Sequence, residues 1–76
     1  MKLSEKGGKM ILIISPDGKI VDKYSLTGRP SVKTLMTAME LTIDKGINED
    51  DLSKMYVDII EAKDYVDAFG DIEVDD

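Results

Sequence analysis

At 76 residues the chain has room for one small core, and 42% hydrophobic with 34% charged residues is the composition of a folded domain. With no cysteine and no histidine, disulfide frameworks, thiolate or imidazole metal sites and the commonest nucleophile–base pairs are excluded. The 16 acidic and 10 basic side chains sum to −6, but unevenly: residues 1–43 carry seven basic and four acidic groups (+3), and residues 44–76 carry three basic and twelve acidic (−9).

Met1 to Lys9 is polar and contains Gly7-Gly8, so residues 1–9 read as a mobile arm, with a short edge strand over Met1 to Glu5 as the alternative. Gly7-Gly8-Lys9 precedes a strand and lacks the spacing of a phosphate loop. Residues 10–26 predict a β-hairpin. Met10-Ile11-Leu12-Ile13-Ile14 is rich in β-branched side chains, and Ser15-Pro16-Asp17-Gly18 supplies the turn, with proline presetting the first corner and glycine taking the left-handed exit. The return strand, Lys19 to Leu26, alternates, placing Ile20, Asp22, Tyr24 and Leu26 on one face. Met10 to Ile14 does not alternate, so both of its faces need cover, from helices, another strand or a second molecule.

Thr27-Gly28-Arg29-Pro30 breaks the strand, and Ser31 caps a helix over residues 31–45 whose apolar stripe is Val32, Leu35, Met36, Met39 and Ile43, with Leu41 opposite and Gly46 at its end. Asn48 followed by Glu49-Asp50-Asp51 marks a second helix N-terminus. No glycine or proline interrupts the chain from there to Phe69, and Leu52, Met55, Tyr56, Ile59, Ala62, Val66 and Phe69 share one broad helical face, which predicts a single helix over residues 49–69. The rival is a shorter helix followed by a strand over Met55 to Ala62, since Tyr56-Val57-Asp58-Ile59-Ile60 has good β composition. Residues 70–76 alternate acidic with apolar, so Ile72 and Val74 offer either a short strand or an acidic tail. The expected fold is α+β: a β-hairpin packed on a helical hairpin (ββαα), with a short C-terminal third strand available. A homodimer through the hairpin is expected if that segment does not supply the third strand.

Function follows from charge more than from any motif. A −9 half disfavours direct nucleic-acid or membrane binding and leaves basic proteins and cations. An enzyme is not expected, because an acid poised near neutral pH needs an apolar cleft that so short a chain hardly builds. Asp58, Glu61, Asp64 and Asp67 recur every three residues, so on a helix they form one slanting carboxylate ridge beside the apolar Val57, Ile60 and Tyr65. This predicts a non-enzymatic, acidic protein-interaction module, a small regulator or inhibitor docking that ridge on a basic partner. The alternative is calcium binding by Asp44, Asn48, Glu49, Asp50 and Asp51 between the helices, although capping explains Asn48, Glu49 and Asp50 without a metal and the spacing is not that of an EF-hand. No other cofactor is implied. The longest apolar run is five residues, too short to span a membrane, and the lack of cysteine suits a reducing, cytoplasmic setting.

Overall fold

In the computed structural model, which describes residues 1–74, the chain runs α1 (Leu3–Lys6), β1 (Lys9–Ile14), β2 (Ile20–Leu26), α2 (Val32–Asp44), α3 (Glu49–Leu52), β3 (Tyr56–Glu61) and α4 (Ala62–Phe69). The strands form one antiparallel sheet in the order β2-β1-β3. The run of five apolar residues therefore lies in the central strand, and Met10, Ile11, Leu12 and Ile13 are all buried. This is the α+β architecture expected, with one substitution: the third strand comes from residues 56–61, not from the C-terminal segment.

The turn between β1 and β2 forms as the sequence dictates. Gly18 N–H donates to the Ser15 carbonyl (2.9 Å), Ser15 N–H to that of Lys19 (2.8 Å), and Gly18 has φ +89°. Beyond it the ladder slips, because Ile13 pairs with Asp22 but Ile14 with Ile20, leaving Val21 as a bulge. Ile20 is thereby turned to the face opposite Asp22, Tyr24 and Leu26, which corrects the expected four-residue face.

Each face of β1 has its own cover. Met10 and Leu12 join Leu3, Ala62 and Tyr65 in one core, with Ile14, Ile20, Ile60, Ile72 and Val74 around it. On the other face lie Ile11 and Ile13, beneath α2, which buries Ala38 and Thr42. Ser31 caps α2 as predicted, its Oγ accepting from Thr34 N–H at 3.1 Å. The helix is rotated relative to the expected stripe: Leu35, Met39 and Ile43 are half-buried, whereas Val32 (75%) and Met36 (56%) stand exposed. The rotation turns Thr42 inward, where its Oγ1 lies 2.8 Å from the Ala38 carbonyl and 3.1 Å from Asp22 Oδ2.

Two expectations are corrected. The helix predicted over residues 49–69 is α3, β3 and α4 in succession; Ser53 ends α3, and the β-branched Val57, Ile59 and Ile60 meet the open edge of β1. The N-terminal arm is docked, since Leu3 is fully buried and donates its N–H to the Ile72 carbonyl (2.8 Å), while Val74 N–H donates to that of Met1 (2.9 Å). Residues 70–74 consequently join the N-terminus through a Lys2–Glu73 bridge. Asp75 and Asp76, included in the expected tail, lie outside the described residues. Within the chain, β3 occupies the edge of β1 opposite β2. Among the described residues no helix is long and apolar enough to cross a membrane.

Candidate functional site

The predicted ridge does not exist as one feature. Asp58 and Glu61 lie on β3, Asp64 and Asp67 on α4. Residues three apart on a strand face opposite sides, and the register shows it: Asp58 sits beside Leu12, on the face covered by α1 and α4, whereas Glu61 sits beside Lys9 on the α2 face. Lys9 Nζ lies 2.8 Å from Glu61 Oε1, and this ammonium holds the Glu61 carboxyl below its ordinary range. Glu61 is therefore compensated. Asp58, Asp64 and Asp67 are exposed, and no ion pair joins them among the described residues.

The apolar residues expected beside the ridge are also redistributed. Tyr65 is buried, and Val57 and Ile60 are half-buried on opposite faces of the sheet. Tyr56 (64%) and Phe69 (58%), assigned by periodicity to a buried stripe, are the exposed ones. Tyr56 shares the face of Asp58, two residues along β3, so an aromatic ring and an uncompensated carboxylate stand together there. Helical periodicity concealed this pair; the alternation of Tyr56, Val57 and Asp58 in a strand is the signal that reveals it.

The acidic helix connection is organised by capping. Asn48 Oδ1 accepts from Asp50 N–H at 2.8 Å, and Glu49, Asp50 and Asp51 occupy the first turn of α3, where exposed amide N–H groups favour negative charge. Asp44 belongs to the end of α2. Among the described residues no group of three or more histidine, cysteine, aspartate or glutamate side chains is placed to hold a metal ion, so these residues are separated into helix ends and do not converge as calcium ligands must.

A polar network missed by sequence reading fastens α2 to the sheet. Asp22 Oδ2 accepts from the Tyr24 hydroxyl, Lys45 Nζ lies 3.1 Å from both Asp22 carboxylate oxygens, and the same ammonium sits 4.7 Å from the Tyr24 ring centroid. Burial alone would raise the Asp22 carboxyl; the hydrogen bonds from Tyr24, Lys45, the Lys23 N–H and Thr42 outweigh it and hold the group below its ordinary range. Asp22 Oδ1 accepts from the Lys23 N–H, and Asp58 Oδ1 from the Ile59 N–H, each at 2.9 Å. Both outer strands thus carry an amide committed to a neighbouring carboxylate, which blunts them against added strands.

Two grooves flank α2. One, of about 420 Å³, lies toward β2, with Ile11, Leu26, Ala38 and Leu41 among its walls and Lys33 as its charged group. The other, of about 370 Å³, lies toward α3, with three methionines, Ile43 and Leu52 as its apolar lining and Glu40 and Glu49 as its charged groups. In comparisons with protein-family models, with curated proteins and with solved structures, the chain has no match.

Proposed function

We propose that the chain is a non-enzymatic, acidic protein-interaction module, a small regulator or inhibitor that works in the cytoplasm by docking carboxylates on a basic protein surface. The observation that carries this reading is the set of exposed carboxylates on β3 and α4. With β1 in the centre, β2, from the N-terminal half, and β3, from the acidic C-terminal half, lie at opposite edges of the sheet. Leu12 pairs with Lys23 on one side and Asp58 on the other. Among the described residues no ion pair joins Asp58, Asp64 or Asp67, and Tyr56 beside Asp58 adds the exposed aromatic surface typical of interface centres. Such a surface attracts basic proteins at long range and repels phosphate backbones. The complete lack of cysteine fits a reducing compartment.

The test is capture from native lysate by the tagged chain and by an Asp58→Lys/Asp64→Lys/Asp67→Lys variant, followed by association kinetics with the purified partner across salt. A basic partner is expected, lost by the variant, with an association rate that falls steeply with salt. Undiminished capture by a folded variant overturns the role of these carboxylates.

A further inference from the structure

We propose that the groove between α2 and α3 is a docking site for a basic amphipathic helix, the apolar stripe of the helix seated on methionines and its cations on the carboxylate rim. This rests on the reading of a basic partner above and assigns that partner a shape. Met36, Met39 and Met55 line the groove, three of only five methionines in the chain. Methionine is unbranched and polarisable, and it adapts its surface to varied apolar side chains. Ile43 and Leu52 complete an apolar lining, and Met36 is 56% exposed although apolar. The volume of about 370 Å³ admits a few large side chains and falls within the range of roughly 300–1,000 Å³ usual for ligand clefts.

Chemistry selects the occupant. Among the described residues, Glu40 and Glu49 are the charged ones lining the groove and no basic side chain lines it, so a cationic ligand is favoured. The α2–β2 groove is the reverse: among the described residues Lys33 is its charged group and no carboxylate lines it. The walls of the acidic groove come mainly from side chains of α2 and α3, and none of its lining residues belongs to a strand whose edge could pair with an extended chain. An extended peptide entering it would bring unpaired N–H and C=O groups against apolar side chains, whereas a helix satisfies its own backbone. The ligand is therefore a helix with apolar residues at i, i+3, i+4 and i+7 and lysine or arginine on its flanks.

The methionines themselves provide the readout. In a spectrum of the ¹³C-methyl-methionine-labelled chain, Met36, Met39 and Met55 report on the groove, while Met10, in the core on the other side of the sheet, and Met1 serve as internal controls. The probe is a synthetic leucine–lysine peptide with its leucines on one helical face; the control has the same composition, rearranged so that no face is apolar. Saturable shifts of the three groove methyls, fixed control methyls, and affinity weakened roughly tenfold by Met36→Lys, Glu40→Lys or Glu49→Lys are expected. Equal shifts with the rearranged peptide, shifts confined to β3 and α4, or no binding of the amphipathic peptide overturn the site. So do groove-methyl shifts that follow protein concentration without peptide, since a second copy then fills the groove. Confinement to β3 and α4 leaves the proposed function standing.

Discussion

The Leu3 N–H donates to the Ile72 carbonyl at 2.8 Å, and Leu3 itself has no exposed surface. Two segments that look expendable in the sequence are thereby joined, with Ser4 N–H adding a bond of 3.1 Å to Asp71 Oδ1. The Ser4 hydroxyl and N–H hold the Asp71 carboxyl below its ordinary range. Leu3→Ala should destabilise the fold by about 2–5 kcal/mol, as for other buried leucines, and should accelerate hydrogen exchange at residue 3. Exposed Lys54→Ala should stay within about 0.5 kcal/mol of wild type. Urea midpoints check both; an unchanged midpoint for Leu3→Ala means that the ends are not docked.

Gly8 is where the chain passes from α1 into β1, and its backbone lies against β2. A Cβ there would stand 2.3 Å from the Leu26 carbonyl oxygen, and φ is +88°. Its carbonyl also accepts the Ala62 N–H at 2.9 Å, fixing the junction of β3 and α4. Gly28 has a similar φ of +84°, with open space around it. Both glycine-to-alanine changes incur left-handed strain of about 1–2 kcal/mol, and Gly8→Ala adds overpacking worth roughly 1–3 kcal/mol. Denaturation midpoints should fall in the order wild type, Gly28→Ala, Gly8→Ala; equality of the two variants would show that β2 yields freely at Leu26.

The elements legible in the sequence were those with local signals: the β1–β2 turn, the Ser31 cap and the Asn48 cap. Residues 53–61 were not, because Tyr56-Val57-Asp58-Ile59-Ile60 satisfies a strand and a helix equally by periodicity, and its choice is made by the vacant edge of β1. The unbroken Met10–Ile14 run did demand cover, but not which segment would supply it. Leu3 has no periodic neighbours in its arm, so its burial is purely tertiary. Thr42 reads as a polar interruption until Asp22 is known to lie opposite it. The site failed with the helix, since a spacing of three that is a ridge on a helix puts Asp58 and Glu61 on opposite faces of a strand.

The Asp22 network makes stability depend on pH at both extremes. The Asp22 carboxyl titrates lower in the folded chain than its ordinary value near 3.8, so its contribution is present above that value and lost as pH falls through the lower folded one. Lys45 is raised above its ordinary 10.5 by the hydrogen bond from its ammonium to Asp22; its contribution is full below 10.5 and lost as pH rises through the folded value. Asp22→Asn should lower the melting temperature at pH 7 and flatten its acid dependence below pH 4. Melts across pH check this, and a variant that keeps the wild-type acid slope would assign that slope to other carboxylates.

The carboxylates of the acidic half should respond differently according to whether a cation faces them. Glu61 faces Lys9 at 2.8 Å across the β1–β3 ladder, so Glu61→Lys replaces an attraction with a repulsion. A small loss of stability is expected, because both side chains are partly solvated, and adding Lys9→Glu should restore most of it. Asp58, Asp64 and Asp67 have no such partner among the described residues, and reversing all three raises the net charge from −6 to zero. That variant should keep or slightly exceed wild-type stability at low salt, with the difference closing as salt screens the self-repulsion of the acidic half. Melting temperatures in low salt and in about 0.5 M salt, where the screening length falls well below 10 Å, separate the two classes. A triple variant destabilised by more than about 1 kcal/mol at low salt would show that these carboxylates are held in the fold, and the surface available to a basic partner would then reduce to the groove beside α2.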